Sequence, residues 1–185
     1  MMTEISLNVL DVAENSTRAG AKLVTITVDT NLAADRLTII IEDDGCGMTP
    51  DQVSRVIDPF FTSRTTRKVG LGIPFFKYAA ESTGGSFTIT SSPGVGTKVS
   101  AIFGLSHIDR MPLGDISSTI HMLIVYHPET EFIYHYHYND QSFRLDTREF
   151  RQILGDLPFD NPEISAYILE YLQENKLETD GGAQY

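Results

Sequence analysis

Leu37-Thr38-Ile39-Ile40-Ile41-Glu42-Asp43-Asp44-Gly45-Cys46-Gly47-Met48 is the stretch on which the fold turns. Its first half is apolar and β-branched and reads as a strand. Its second half packs an acid and two glycines into five positions, Asp43-x-Gly45-x-Gly47. An aspartate at a strand end is a fixed acceptor for the proton of an exocyclic amine, and glycines let the backbone approach a flat ligand closely. That combination suits an adenine. The same spacing is also ordinary Asp-Gly turn chemistry, so the neighbouring segments decide between the two.

Before it, Ile5, Val9, Val12, Ala13 and Ser16 recur at helical spacing and Gly20 stands where a helix stops, which predicts an amphipathic helix over 4–19. Asn8, Asp11, Asn15 and Arg18 fall three, four and three apart and form one polar column on that helix, whose plain reading is solvent exposure. Lys22 to Asp29 reads as a strand paired with the one ending at Glu42. After it, Thr49-Pro50-Asp51-Gln52 carries a hydroxyl cap, a proline at the first helical position and a glutamine for a capping box. Thr62 to Val69 has hydroxyls and cations without periodicity and reads as a loop. Gly70-Leu71-Gly72 opens a helix ending before Gly84-Gly85, and strands are expected at Ser86 to Ser91 and Thr97 to Phe103. Phe60-Phe61 and Phe75-Phe76 are expected in the core, and Cys46 as a packed thiol.

Beyond about Leu105 the character changes. Strands are expected at Thr119 to Tyr126, Glu131 to Tyr138 and Phe143 to Leu145. A short helix capped by Asp146 and a longer one from Asn161-Pro162-Glu163 through Lys176 follow, then a frayed tail from Asp180. His135 and His137 share a strand face and admit a zinc pair, but no cysteines accompany them and the plain reading is a patterned sheet. This makes residues 106–185 a small α+β extension of a first domain at 1–105.

Among 185 residues the net charge is -11, which argues against nucleic acid and against anionic membranes, since both need basic surface. One cysteine forms no internal disulfide, no basic-apolar leader opens the chain, and no apolar run approaches the roughly 20 residues that cross a bilayer; a cytoplasmic, soluble protein is expected.

A nucleoside triphosphate site needs an adenine acceptor, an oxygen ligand for magnesium, donors for phosphate oxygens and a carboxylate to orient a nucleophile. Asp43, Asn15, the helix start after Gly70-Leu71-Gly72, and Asp11 are the candidates. Ser63 to Lys68 is cationic within an acidic chain, as a lid over polyphosphate requires.

Asp11 to Ala21, Asp43-x-Gly45-x-Gly47, Asp58-Pro59-Phe60-Phe61-Thr62, Gly70-Leu71-Gly72 and Gly94-x-Gly96-Thr97 occur in the order seen in the GHKL ATP-binding superfamily. The resemblance covers about residues 4–104. The stretch from Phe60 to Thr97 is most similar to the histidine-kinase branch, while Glu14-Asn15-Ser16 and Ala19-Gly20-Ala21 resemble the mismatch-repair branch. It implies a two-layer α/β sandwich, with helices over one face of a mixed sheet. It also implies ATP and magnesium as ligands: Asn15 as magnesium ligand, Asp43 as adenine ligand with Thr97 beside it, Gly45 and Gly47 as the first glycine box, and Gly70, Leu71 and Gly72 as the second. Arg18 and Arg64 stand where the kinase branch often has phosphate-contacting cations. Asp11 takes the base position, one methylene shorter than the usual glutamate, and Lys68 replaces the glycine that usually begins the second box, where it could contact phosphate.

The expected activity is transfer of the γ-phosphate to a protein partner, as in an ATP-dependent protein kinase, or slow hydrolysis as a switch. A non-catalytic nucleotide-sensing adaptor and an anti-sigma-factor-like serine kinase are the alternatives. The N box begins too near Met1 for the hairpin that carries the phosphoacceptor histidine in a full histidine kinase, so that residue is expected in the C-terminal unit or on another protein. Ser106 to Asp115 and Thr65 to Pro74 also resemble stand-alone histidine-kinase-like proteins encoded beside iron-only hydrogenase subunits. That implies a redox enzyme or regulator as partner, and the options for assembly include a homodimer.

Overall fold

The computed structural model describes residues 3–58, 72–155 and 157–185. Six strands form one mixed sheet in the order β3-β4-β2-β1-β5-β6. They are β1 (Leu23–Asn31), β2 (Arg36–Asp43), β3 (Ser86–Ser92), β4 (Gly96–Gly104), β5 (Glu131–Tyr138) and β6 (Gln141–Asp146). Five neighbouring pairs hold it, antiparallel except for β1 with β5. The helices are α1 (Ile5–Arg18), α2 (Pro50–Ile57), α3 (Gly72–Glu81), α4 (Ile116–Tyr126), α5 (Thr147–Leu154) and α6 (Pro162–Asp180).

Alternation places the core. Val24, Ile26 and Val28 of β1, Leu37, Ile39 and Ile41 of β2, and Val99, Ala101 and Phe103 of β4 are all buried, one residue in two along each strand. They meet Ile5, Val9, Val12 and Ala13 of α1 and Ile73, Phe76 and Ala80 of α3, which recur at helical spacing. The capping box of α2 forms as its sequence predicts: Gln52 N donates to Thr49 Oγ1 at 3.3 Å and Thr49 N to Gln52 Oε1 at 2.8 Å.

The chain beyond Leu105 joins this same sheet, because β5 lies parallel to β1 from Leu23 opposite Glu131 to Thr30 opposite Tyr138. Residues 116–126 are a helix, against the strand expected from their β-branched content. Asp115 caps them, accepting from Ser118 N at 2.9 Å and Ser118 Oγ at 2.6 Å. Ile116, Ile120, Leu123 and Ile124 are buried against α1 and α6, so tertiary packing overrides local propensity here.

The end of the expected frayed tail is held in place at Tyr185. Tyr185 stacks on Tyr138 with ring centroids 5.7 Å apart, its hydroxyl meets that of Tyr136, and its carbonyl accepts from Leu113 N at 2.8 Å. Three smaller expectations also change. Asn8 is fully buried, so the start of the polar column on α1 faces inward. Cys46 is exposed, since the turn carrying it lies outside the sheet. Phe76 enters the core while Phe75, one residue round the helix, stays 44% exposed. Phe60 and Phe61 lie outside the described residues. No helix among the described residues is long and apolar enough to cross a membrane.

Candidate functional site

Asp43 ends β2 on the same face as Leu37, Ile39 and Ile41, so it continues the buried row beyond the core and meets α1. Ser16 Oγ donates to Asp43 Oδ2 at 2.6 Å, and Gly45 N donates to Oδ1 at 2.9 Å. The carboxylate is thereby fixed in orientation while keeping further lone pairs for a donor from outside. Across the ladder Asp43 stands directly opposite Thr97. Ser91 Oγ contacts Thr97 Oγ1 at 2.9 Å, donates to Gly96 O at 2.9 Å and accepts from Met48 N at 2.8 Å. With the Ser91 proton given to Gly96 O, the contact is satisfied by Thr97 donating to Ser91, which leaves Thr97 Oγ1 acceptor capacity opposite Asp43.

Backbone proximity makes Gly47 obligatory and Gly45 tight. Gly47 adopts φ +66° and a Cβ there would stand 1.9 Å from Ser92 O, so the turn closes on β3 only without a side chain. A Cβ at Gly45 would come within 3.0 Å of Asp43 Oδ1 and of Ala19 Cβ.

The second cluster lies one turn back along α1. Gly72, the first residue of α3, abuts Asp11: a Cβ at Gly72 would be 3.0 Å from Asp11 Cβ and 3.2 Å from its Oδ2. This brings the start of a ten-residue helix beside a carboxylate. Asp11 is half-buried; loss of water raises its pKa from the ordinary carboxylate range, Arg18 partly offsets this, and Glu14 adds to it. Asn15 Oδ1 receives a long 3.4 Å contact from Arg18 Nη1 and has capacity to spare. Glu14 is engaged elsewhere, with His127 Nε2 at 2.8 Å and Arg18 Nη2 at 3.7 Å.

The sequence-predicted residues thus fall into two groups joined by α1: Asp43, Gly45, Gly47 and Thr97 in one, Asp11, Asn15, Arg18 and Gly72 in the other. Arg64, Lys68, Gly70 and Leu71 lie outside the described residues. Sequence reasoning assigned no role to Ser16 or Ser91, which set the orientation of Asp43 and Thr97. The available signal was Ser16 falling in the same helical row as Ile5, Val9, Val12 and Ala13, a polar residue on the face expected to be buried. His135 and His137 stack at 6.1 Å, and no third metal ligand joins them among the described residues.

A fold of helices against a mixed sheet, with an acid-glycine turn facing a polar helix column, defines a nucleotide-binding domain of the GHKL class. Residues 1–107 match the family of Histidine kinase-, DNA gyrase B-, and HSP90-like ATPases, and the chain belongs to that family. It is 35% identical over 101 residues to "Sensor protein SrrB" of Staphylococcus aureus (strain NCTC 8325 / PS 47), covering 52% of this chain and 17% of that protein. It is 36% identical over 69 residues to "Probable C4-dicarboxylate sensor kinase" of Bacillus subtilis (strain 168), covering 37% of this chain and 13% of that one. The chain therefore spans less than a fifth of the length of these relatives. Among solved structures, the Aquifex aeolicus MutL ATPase domain complexed with ADP superposes with a TM-score of 0.53 at 13% identity, over 83% of this chain and 70% of that one. That likeness concerns the fold, and its coverage runs past residue 107 into the C-terminal unit.

A Ser16→Ala change is expected to weaken nucleotide binding about three- to tenfold, the scale of one hydrogen bond to a charged group that orients a ligand rather than touching it. Titration with a fluorescent ATP analogue reads this directly, and unchanged affinity would remove Ser16 from the site.

Proposed function

We propose that this chain binds ATP with magnesium and uses Asp11 to direct the γ-phosphate to a protein partner or to water. The observation that carries the reading is the Asp43 carboxylate, locked by Ser16 and Gly45 beside an acceptor-presenting Thr97. That is the hydrogen-bonding complement of an adenine amine. The residues fit the rest of the ligand. Gly45 and Gly72 let the chain come close to Asp43 and Asp11, where a side chain would crowd those carboxylates, and Asn15 offers a hard amide oxygen suited to magnesium. Magnesium, when bound there, would neutralise charge on the phosphates. Gly47, Gly70 and Leu71 are assigned to the backbone cradle, and Arg18, Arg64 and Lys68 to the phosphate oxygens.

Asp11 is the assigned base. Its pKa, raised by loss of water around the half-buried carboxylate, makes it a stronger proton acceptor than an exposed aspartate. Its short side chain sets a slow intrinsic rate that a partner, expected to be a redox enzyme or a regulator, would increase by completing the site.

The test is incubation with magnesium and ATP labelled at the γ-phosphate, with and without cell extract. Labelled protein means kinase chemistry, acid-labile for histidine and acid-stable for serine; free phosphate alone means an ATPase switch. Neither product despite tight binding would turn the reading to a nucleotide-sensing adaptor. Asp11→Asn is expected to cut turnover at least about 100-fold while ATP affinity holds within about threefold. In the wild type, turnover should rise with pH through a midpoint above the ordinary aspartate value of 3.8. The sign for stability is opposite: a raised folded pKa makes the ionised carboxylate a cost above the unfolded pKa, recovered as pH falls. The asparagine variant should therefore melt no lower than wild type at pH 7.

A further inference from the structure

His127 is the C-cap of α4 and the one histidine described that reaches the candidate site. His107 lies near Asp109, His121 bonds Ser165, and His135 and His137 stack on each other. Glu14 accepts at 2.8 Å, so His127 Nε2 carries the proton of that bond. The turn presenting it is strapped from both sides. Thr130 Oγ1 donates to Ala21 O at 3.1 Å and Glu131 N to Lys22 O at 2.8 Å, tying it to the end of α1 and the start of β1. Arg151 donates to Pro128 O at 2.8 Å and to Glu131 Oε1 at 2.6 Å, tying it to α5.

From His127 a line of polar contacts runs into the site. Glu14 meets His127 at 2.8 Å with one oxygen and Arg18 at only 3.7 Å with the other, while Arg18 reaches Asn15 at 3.4 Å. Beside it, Glu14, Thr17, Arg18 and residues 126–130 line a cavity of about 350 Å³, so Arg18 has room to move. A carboxylate that lost its histidine partner would close on the guanidinium and draw it away from Asn15.

We propose that His127 is a positioning residue of the nucleotide site: by holding one oxygen of Glu14 it keeps that carboxylate from closing on Arg18, so that the guanidinium stays by Asn15 and toward the phosphates, and so makes phosphate binding depend on residues 106–185. This rests on the nucleotide reading above. It assigns the C-terminal unit a direct role in the site rather than a docking role alone.

The experiment is calorimetric titration of the whole chain with magnesium-ATP and, separately, with adenosine, for wild type, H127A, H127Q, E14Q and E14Q/H127A. Adenosine reports Asp43 and Thr97 but not the phosphate cations. H127A is expected to bind ATP about tenfold more weakly, the scale of one charge-assisted contact, with adenosine unchanged. H127Q, whose amide can still donate to Glu14, should recover most of that loss. In the E14Q background, removing His127 should cost nothing further. Equal ATP affinity in H127A and wild type, an equal loss for ATP and adenosine, or additive losses in the double variant would each overturn the proposal. Wild type binding neither ligand would instead sink the nucleotide reading, and the role of His127 with it. Circular dichroism melting of each variant separates these outcomes from unfolding.

Discussion

Asp43→Asn is expected to reduce ATP affinity by about 10- to 100-fold, the span of 1.5–3 kcal/mol for a hydrogen bond to a charged group, without unfolding the protein. Both carboxylate oxygens of Asp43 already accept, one from Ser16 Oγ and one from Gly45 N. An asparagine can satisfy both only by keeping its oxygen on Gly45 N and turning its amide toward Ser16, whose hydroxyl can reverse to accept. The amide proton left over then points where the ligand's amine donates, and two donors face each other. Retained affinity in a folded variant would mean that the Asp43–Gly47 turn is structural only.

Ending the chain at Leu105 is expected to abolish cooperative folding, leaving an aggregating or molten product that binds no ATP. Twelve of the thirty buried apolar side chains among the described residues come from beyond this point, including Ile120, Phe132, Tyr134 and Leu172. At roughly 1.5–3 kcal/mol for burying one such side chain, the cover they give one another and α1 is large beside a net stability of about 5–15 kcal/mol. The truncation also exposes the edge of β1 that pairs with β5, a template for aggregation. It unfastens the start of α1 as well, where Ile5 N and Ser6 N donate to Pro112 O and Leu113 O, both at 2.9 Å. Expression followed by thermal melting tests this. A soluble truncated chain with a sharp transition and ATP affinity would instead establish residues 1–105 and 106–185 as independent units.

What could be read along the chain was what local chemistry enforces. Thr49-Pro50-Asp51-Gln52 caps α2, Asp146 caps α5 and Asn161 caps α6, because each cap is satisfied within a few residues. The alternation in β1 and β2 showed because their two faces see different surroundings, and the turn after Asp43 showed because only glycine fits against Ser92. The order of polar residues on α1 was visible for the same reason. The column by itself reads as a solvated face; the roles of Asp11, Asn15 and Asp43 came from the needs of a triphosphate site and from the motif order shared with the superfamily.

Tertiary structure decided the remainder. Residues 116–126 carry enough β-branched side chains to read as a strand, and become a helix because α1 and α6 bury them from two sides. Tyr185 follows a sequence of small and polar residues that reads as a loose end, and is held by Tyr136, Tyr138 and Leu113, which lie far from it along the chain. The bond from His127 to Glu14 spans 113 positions and has no local signature. By itself the sequence determined the caps, the alternation of the strands and the helix carrying the candidate base, which local chemistry sets, and, through the order of its motifs, the class of fold. Only the packed chain decided how Asp43 is oriented, what engages Glu14 and where residues 106–185 sit, because each is a contact between groups whose separation along the chain carries no periodic trace.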